Sequence, residues 1–481
     1  HEVDTAAVVL VARVIEPLGR WKIGIRVNHG HNSPPERRAQ TRSGSELGRH
    51  WPGFQLWKTY RVPVVWANLA TIGPRWDMPT ADPSVASALL ADFDASPSPY
   101  HAVATMKALL DAAGFALAHP GSGPVGRWYH VDGGALVAWV VGTDHHGASP
   151  LRLVGAHTDS PNLRIKPQPD RSGAGAARQL GVEVYGGVLL NSWLDRDLGL
   201  AGRVVIEGVD GPEEYLMRDD RALLRIPQLA IHLDGDIRQH GLNLNPQRHL
   251  SPVWGLGEGP TFAAYLAEQV GVEADSILAY DIMAYDLTPA ALNGLGDEFL
   301  CTARIDNLLS CFLAVRALVE VADAPGAAIP MISLFDHEEV GSVSTTGAAS
   351  PLVRQQIELV QAGLGATVVD AAVSRAASLV LSADGAHATH PNYADRHEPE
   401  HQVSLNGGPV LKINANQRYA TDARSAGVFV RACRTADVPF QRFVNRTDLA
   451  CGSTIGPATA AELGMAVVDA GCPQYAMHSA R

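Results

Sequence analysis

The chain has 481 residues, too many for one ordinary compact core, so we expect more than one domain or one large decorated domain. Apolar residues make up 46% of the chain and charged residues 18%, as in folded globular proteins. The net charge of −12 and the pI near 5.9 argue against nucleic acid or an anionic membrane as a partner, because such binders need a basic face.

The N-terminal residues 1–77 are polar, basic and rich in His, Pro and Ser, without clear periodicity. We expect them to be a poorly ordered extension of doubtful relevance, because Met78 opens a stretch that looks like a natural start. After it, the apolar residues between Ala86 and Phe93 recur at helical spacing. The stretch SPSPYHAVATMKALLDAAG then predicts a turn, a helix and a Gly stop.

From about residue 128 onward, short apolar runs alternate with helical patterns. Buried strands are predicted for ALVAWVVG, LRLVGAH, PMISLFD and SLVLSADGA, and helices for NLLSCFLAVRALVEVA, SPLVRQQIELVQAGLG and ARSAGVFVRACRTADV. This alternation predicts an α/β fold, an α/β/α sandwich with a mostly parallel central sheet. Residues 165–270 interrupt it with β-rich fragments such as VEVYGGVLLNSWLD, which is typical of an inserted β domain.

Cysteine usage and hydropathy indicate the compartment. The five cysteines lack CxxC spacing, which favours neither a disulfide scaffold nor a thiolate metal site. No apolar run reaches the length of a membrane span, and the early run AAVVLVARVI, interrupted by Arg13, makes a poor signal peptide. We therefore predict a reducing, cytoplasmic location and no membrane partner.

Charged residues follow the predicted strands at their carboxyl ends, where open α/β sheets bind ligands. The residues in such positions are His157 and Asp159 after LRLVGA, the DHEE segment 336–339 after PMISLF, Asp384, His387 and His390 after SLVLSA, and His478 after a short apolar run. Asp306 directly precedes the helix NLLSCF. Histidines and carboxylates that meet at one sheet edge are ligands of a divalent metal such as zinc.

The adjacent glutamates Glu338 and Glu339 repel each other unless a cation neutralises one of them. One can then bind a metal while the other, Glu338, acts as the general base that takes a proton from metal-bound water. A second metal would explain the surplus of ligands, with Asp306 placed to bridge the two ions. In the H-x-D pattern, Asp159 can orient His157 through its second ring nitrogen.

Eight segments together resemble the aspartyl aminopeptidases, a family of dinuclear zinc exopeptidases with tetrahedral assembly. The segments are GAHTDSPNLRIKP (155–167), LAIHL (229–233), GDEFLCTARIDNLLSCF (296–312), SLFDHEEVGS (333–342), SADGAHATHPNY (382–393), KINANQRYATDA (412–423), CGSTIGP (451–457) and MHSAR (477–481). They follow the order of the family and span the chain from about residue 78 to its end. The family pattern continues past His478 into a further helix, whereas this chain stops at Arg481.

The resemblance implies a metal centre and its cofactors. His157 and Asp384 would hold one ion, Glu339 and His478 the other, and Asp306 would bridge them. The implied cofactor is Zn²⁺, two per subunit, and Co²⁺ or Mn²⁺ would also suit these ligands. The catalytic domain would comprise residues 78–164 and 271–481, and residues 165–270 would be the dimerisation domain of a dodecamer built from dimers.

The resemblance also implies residues that act on the substrate. His232, on the insertion, would reach across the dimer and polarise the scissile carbonyl or steady the oxyanion. Lys412 would read an acidic first side chain, with Arg418 and Tyr419 supporting that wall. The segment CGSTIGP, with Gly452, would be a Gly-rich turn that binds substrate through backbone N–H groups.

The predicted activity is removal of N-terminal aspartate and glutamate from peptides by a two-metal, metal-hydroxide mechanism. Two alternatives remain open on the sequence alone. The first is an aminopeptidase on the same scaffold with a neutral or broad first pocket. The second is a non-catalytic assembly subunit, which metal content would distinguish from an enzyme.

Overall fold

A computed structural model of the chain describes residues 83–119, 121–235 and 237–481. The prediction of a poorly ordered extension over residues 1–77 concerns a part of the chain outside these ranges. Within them, no helix combines the length and the apolar character that crossing a membrane requires.

Helices and strands alternate along the described residues. Helices α1–α10 are Pro83–Asp94, Pro99–Ala112, Ile237–His240, Pro246–His249, Phe262–Val270, Ile305–Val321, Leu352–Gly363, Val368–Ala377, Ala423–Thr435 and Ile455–Leu463. Strands β1–β19 are Ala116–Leu117, Gly126–Asp132, Ala135–Val141, Leu151–His157, Asn162–Ser172, Ala177–Tyr185, Leu198–Gly208, Gly211–Leu224, Val253–Leu256, Ile277–Asp286, Ala291–Asn293, Phe299–Cys301, Ile329–Phe335, Leu379–Ala383, Ala386–His387, Val410–Ile413, Gln441–Val444, Ala466–Gly471 and Pro473–Gln474.

The larger sheet has the strand order β1-β2-β3-β13-β4-β14-β18-β16-β17. Its central strands β13, β4, β14 and β18 are parallel, and antiparallel pairs join β2 to β3, β3 to β13 and β16 to β18. Strands β3, β4 and β13 are buried along their whole length, as expected for strands covered on both faces. The prediction of a mostly parallel central sheet is therefore confirmed.

Alternate residues of these strands face two separate cores. On one side, Leu136 of β3 packs in a cluster with Phe312 of α6 and with residues of α1, α2 and α9. On the other side, Val137 of β3 packs in a cluster with Ile455 of α10 and with residues of α7. The larger sheet is thus the middle layer of an α/β/α sandwich.

A second sheet is antiparallel throughout, with the strand order β8-β7-β10-β5-β6-β9 and its own apolar core. Helix α2 contacts it, because Tyr100 Oη donates a hydrogen bond to Asp281 Oδ2 at 3.0 Å. Arg203 Nε donates to the same oxygen at 2.8 Å. The strands of this sheet lie between Asn162 and Asp286; the predicted limits 165–270 and the role in dimerisation stay predictions.

Candidate metal centre

Neighbouring strands of the larger sheet end at the same edge. Strand β4 ends at His157, which is opposite Phe335 at the end of β13. The two glutamates follow β13 in a short 3-10 helix, Glu338–Val340, and Asp384 follows β14 on the other side of β4. The parallel order of the central strands therefore places these candidate residues together.

Four predicted ligands form a group that we call the buried cluster: His157, Asp306, Glu339 and His478. Ligand atoms of His157, Asp306 and Glu339 all lie within 4.8 Å of one another. His478 Nε2 lies 3.3 Å from Glu339 Oε2 and 3.5 Å from Asp306 Oδ2. Because Asp306 Oδ1 lies 3.4 Å from His157 Nε2, Asp306 faces one imidazole with each carboxylate oxygen.

The backbone at the start of α6 is not helical where it carries Asp306. Asp306 has φ −81° and ψ 105°, which lies outside the helical range. Two hydrogen bonds hold this segment, one from Ser160 Oγ to Asp306 O at 3.0 Å and one from Asn307 Nδ2 to Ala383 O at 2.7 Å. The segment is therefore fixed to the ends of β4 and β14.

Two oxygens of the buried cluster have no hydrogen-bond partner among the described residues. They are Asp306 Oδ1 and Glu339 Oε1, and both are buried. A buried carboxylate oxygen without a partner is costly, because it has lost its hydration without compensation. Since histidines with carboxylates are a common zinc ligand set, the residues present fit a divalent metal.

The glutamate pair is strongly perturbed. Burial raises the pKa of Glu338 to about 7, with the negative charges of nearby aspartates adding to the shift and His157 opposing it. Burial, followed by the charge of Asp306, raises the pKa of Glu339 well above its usual range. Ionised carboxylates crowded into a low-dielectric site repel each other, and a divalent cation would remove that repulsion.

The two histidines of the buried cluster have raised pKa values, although burial alone would lower them. Burial lowers the pKa of His157, but the nearby carboxylates of Asp159 and Asp306 outweigh it and raise the pKa well above the usual value. Burial also opposes the rise in the pKa of His478, which is caused mainly by its hydrogen bond with Asp306. The site therefore has a strongly negative potential that attracts cations.

Asp159 is a fully buried carboxylate that organises the glutamate pair as well as His157. His157 Nδ1 lies 3.1 Å from Asp159 O and 3.3 Å from Asp159 Oδ1, as the H-x-D pattern predicts. The backbone N–H groups of Glu338 and Glu339 donate to the two oxygens of Asp159, each at 3.1 Å. Tyr185 Oη donates to Asp159 Oδ2 at 2.7 Å. The last three contacts could not be predicted from the H-x-D pattern.

A buried lysine lies beside Asp384. The side chain of Lys412 is 2% exposed, and its Nζ lies 3.5 Å from Asp384 Oδ1. The ammonium also donates to Gly385 O at 3.0 Å and lies 5.0 Å from the centroid of the Tyr419 ring. Burial raises the pKa of Asp384 to about 6, although Lys412 opposes the shift.

The other predicted substrate residues differ in exposure. Tyr419 is buried beside the lysine. The side chain of Arg418 is exposed, and its backbone carbonyl accepts a hydrogen bond from Ser453 Oγ at 3.3 Å. The segment CGSTIGP is only partly a turn, because Thr454 caps α10 and the remaining residues form the first turn of that helix. Gly452 lies before the helix, in the exposed part of the segment.

Asp469 of β18 is a buried carboxylate that the sequence did not single out. Its Oδ2 accepts a hydrogen bond from Ala420 N and its Oδ1 one from Thr454 Oγ1, both at 2.6 Å. A Cβ at Gly456 would lie 2.4 Å from Asp469 Oδ2, so only glycine allows this approach. Asp469 therefore ties the segment that carries Tyr419 to the start of α10.

His232 is not brought to the buried cluster within one chain. It is exposed, on the turn 231–233 that follows the second sheet's strand β8. Among the residues described, no hydrogen bond or ion pair joins it to the cluster. The predicted role of His232 in a site of a neighbouring subunit therefore stays a prediction.

An α/β/α sandwich that collects histidines and carboxylates at the carboxyl ends of its strands is an architecture of metal-dependent hydrolases. The chain belongs to the aminopeptidase I zinc metalloprotease (M18) family, whose model matches residues 93–481. It is a metallo-aminopeptidase, and zinc is the metal of its family. The resemblance seen in the sequence is confirmed at the level of the family.

Relatives and solved structures agree with this assignment. The chain is 48% identical over 402 residues to a probable M18 family aminopeptidase 2 of Streptomyces coelicolor, covering 82% of this chain and 92% of the relative. It is 47% identical over 408 residues to the protein of that name from Mycobacterium tuberculosis, covering 83% and 94%. The structure of the Ape4 and Nbr1 complex matches with a TM-score of 0.78 at 34% identity, covering 83% of this chain and 82% of that one. The S. cerevisiae mApe1 dodecamer matches with a TM-score of 0.71 at 26% identity, covering 82% and 91%.

Proposed function

We propose that this metallo-aminopeptidase removes aspartate and glutamate from the N-termini of peptides, with two metal ions held at the buried cluster and Asp384. The observation that carries the specificity is the buried ammonium of Lys412, 3.5 Å from Asp384. An acidic side chain that approaches a group of carboxylates is repelled unless a cation stands beside them. Lys412 supplies that cation in a protein whose net charge is −12.

The hydrogen bonds of Lys412 leave it able to bind a substrate carboxylate. An ammonium has three N–H donors. One is used by Gly385 O at 3.0 Å, and a second faces Asp384 Oδ1 at 3.5 Å. In the proposal, the third is donated to the side-chain carboxylate of a substrate, and the ring of Tyr419 lies 5.0 Å from the ammonium.

The ligand set is the one that the family resemblance implies, and the geometry supports it. His157 and Asp384 would hold one ion, Glu339 and His478 would hold the other, and Asp306, whose two oxygens face the two imidazoles, would contact both. When bound there, zinc supplies Lewis-acid activation of the water and the scissile carbonyl. The orphaned oxygens of Asp306 and Glu339 support the assignment, since each lacks a partner among the described residues.

Glu338 moves the proton in this proposal. Its carboxylate follows β13 at the rim of the buried cluster, with Oε2 3.9 Å from His157 Nε2. Its backbone N–H donates a hydrogen bond to Asp159 Oδ1 at 3.1 Å, which fixes the backbone from which the Glu338 side chain extends. Glu338 takes a proton from the attacking water and passes it to the leaving amine, a role that suits a carboxylate with a raised pKa.

A panel of short peptides tests the activity. The peptides begin with Asp, Glu, Ala or Leu and are otherwise identical, and release of the first residue is measured with zinc and with chelator. The proposal predicts chelator-sensitive release of Asp and Glu. Release of Ala and Leu at equal rates would favour the neutral or broad alternative, and no release from any peptide would favour the non-catalytic one.

Replacement of Lys412 tests the specificity. In Lys412→Met, we expect kcat/KM for the Asp peptide to fall roughly 10- to 100-fold relative to the Leu peptide, because one charge-assisted hydrogen bond is lost. Lys166→Met is the matched control, since Lys166 lies on the second sheet and its Nζ bonds Gln247. An unchanged preference for Asp in Lys412→Met would contradict the assignment.

Metal content tests the number of ions. Zinc-loaded protein freed of excess metal should carry about two ions per chain in the two-metal proposal. Asp306→Asn should lower the affinity for both ions, because in the proposal Asp306 contacts both. One ion per chain in the wild type would contradict the bridging role.

The chain is also proposed to work as a homo-oligomer in which His232 serves a neighbouring subunit. A related structure is described as a dodecamer. The residues that flank His232 are apolar and exposed, with Leu229 61%, Ile231 51% and Leu233 74% exposed. Exposed apolar residues grouped along one short segment are typical of a surface that another copy covers.

A further inference from the structure

The second sheet reaches the buried cluster through the turn that follows β6. This turn, residues 185–189, begins at Tyr185, the last residue of the strand. Two glycines, Gly186 and Gly187, follow before the short 3-10 helix Leu190–Trp193. On the sequence alone, it belongs to the β-rich fragment VEVYGGVLLNSWLD of the predicted dimerisation domain.

Tyr185 contacts the site through one hydrogen bond. Its Oη donates to Asp159 Oδ2 at 2.7 Å, and Asp159 in turn faces His157 Nδ1 at 3.3 Å. The ring of Tyr185 is buried, with the guanidinium of Arg164 stacked 3.9 Å from its centroid. The phenol therefore holds the carboxylate that orients His157.

Gly187 and Leu189 contact His478 on the opposite side of the cluster. His478 Nδ1–H donates to Gly187 O across 2.9 Å, and Leu189 N donates to His478 O at 3.3 Å. A ring that carries its proton on Nδ1 has its lone pair on Nε2. Nε2 is the atom that faces Glu339 and Asp306.

The two glycines are required for this approach. A Cβ on Gly187 would lie 3.0 Å from His478 Nδ1. A Cβ on Gly186 would lie 3.0 Å from Glu339 Cβ, and the φ of Gly186 is +74°, a conformation that favours glycine. Any side chain at either position would push a member of the buried cluster.

We infer that the turn 185–189 is a positioning device through which the second sheet sets the affinity of the buried cluster for zinc. The inference rests on the proposed assignment of His157 and His478 as metal ligands. Tyr185 acts on His157 through Asp159, and Gly187 acts on His478 directly. Partners that orient a ligating histidine change metal affinity because they fix the ring and its tautomer.

The coupling is reciprocal. If the docked turn favours zinc binding, then bound zinc favours the docked turn by the same factor. Zinc should therefore protect the Leu189 amide from hydrogen exchange, because that N–H is bonded to His478 O. This effect is not expected of a turn that merely fills space.

Tyr185→Phe tests the inference, because it removes one hydroxyl and keeps the ring under Arg164. Tyr265→Phe is a matched control: Tyr265 is equally buried in the same domain, and its Oη also donates to an aspartate, Asp219, at 2.8 Å. Zinc affinity of the full chain is measured by competition with a chromophoric chelator, and thermal unfolding checks that each variant folds.

We expect zinc affinity to fall roughly 10- to 100-fold in Tyr185→Phe and to be unchanged in Tyr265→Phe. Zinc-dependent protection of the Leu189 amide should also decrease in Tyr185→Phe. Unchanged zinc affinity in Tyr185→Phe overturns the inference. An equal loss in Tyr265→Phe also overturns it, because the effect would then be general destabilisation.

Gly187→Ala is a second, independent variant, with Gly123→Ala as its control. The added methyl meets His478 Nδ1 at position 187 and nothing within 4 Å at position 123. We expect weaker zinc binding only in Gly187→Ala, and equal affinities would overturn the role of Gly187.

His157→Ala separates this inference from the ligand assignment. If His157→Ala keeps the zinc affinity of the wild type, the assignment fails and the inference fails with it. If His157→Ala loses zinc while Tyr185→Phe does not, only the positioning role fails. Acidic specificity does not enter these measurements, so its failure is seen only in the peptide panel.

Discussion

Asp159 combines several tasks in one carboxylate. It faces the ring nitrogen of His157, accepts both backbone N–H groups of the glutamate pair and accepts the phenol of Tyr185. Burial raises its pKa, but these hydrogen bonds and the charge of His157 lower it overall, so the carboxylate stays ionised. The H-x-D spacing was enough to predict the first contact. The others depend on strands that are distant in sequence, which a local pattern cannot reveal.

Replacing the proposed base should separate catalysis from metal binding. In Glu338→Gln, we expect kcat to fall roughly 10²- to 10⁴-fold, the usual contribution of a general base, while zinc content stays unchanged. Peptide hydrolysis and metal analysis of the same preparation measure both quantities. Glu358→Gln, an exposed change on α7, is the control. Activity within threefold of the wild type in Glu338→Gln would refute the role of Glu338.

At the scale of elements, strands and helices were predictable to different degrees. The strands of the larger sheet are continuous apolar runs because both of their faces are covered, and the sequence showed them clearly. The first three residues of α10 belong to the segment CGSTIGP, which was predicted to be a Gly-rich turn, and Gly456 and Pro457 are turn residues in most contexts. Here Pro457 lies in the first turn of a helix capped by Thr454, where proline is tolerated, and Gly456 makes room for Asp469.

The second sheet has a pH-sensitive contact of its own. Asp219 of β8 accepts hydrogen bonds from the backbone and guanidinium of Arg221 and from Tyr265 Oη. These hydrogen bonds lower the pKa of Asp219 from an ordinary value of 3.8 to about 2, and the bond with the Arg221 side chain has the largest effect. Burial opposes the shift. Because the folded-state pKa is lowered, the ionised carboxylate stabilises the fold at pH values above 3.8. This stabilisation is lost as the pH falls towards 2.

Asp219→Asn should therefore destabilise the protein by about 1–2 kcal/mol at pH 7, and less below pH 4. Urea unfolding from pH 7 to pH 2.5 measures the difference from the wild type. The exposed Asp210→Asn, on the β7–β8 turn, serves as the comparison. A difference that stays constant across this range would show that the ionised form of Asp219 is not the source of stability.

At the scale of the whole molecule, the question is whether one chain holds a complete site. The buried cluster and Glu338 are assembled within one chain, but His232 is not. The sequence located His232 only through the resemblance to a family. No pattern of residues around it could show whether it acts in its own subunit or, as proposed, in another copy.

Mixing two inactive variants tests whether His232 acts between subunits. His232→Ala and Glu338→Gln should each be inactive, and equal amounts dissociated and reassembled together should regain about a quarter of wild-type activity for random pairs. The gain arises because a Glu338→Gln subunit still offers His232 to a partner whose Glu338 is intact. Absence of any regain in verified mixed oligomers would place the action of His232 within one chain.

The order in which the chain is made adds a consequence. His157 precedes the second sheet, whereas His478 follows β19, the last strand described. During synthesis, the strands of both sheets are therefore translated before the residue that completes the cluster. In the proposed assignment, a nascent molecule that lacks His478 does not hold the whole centre, so it cannot trim the emerging N-termini of its neighbours, or its own, before that residue has emerged.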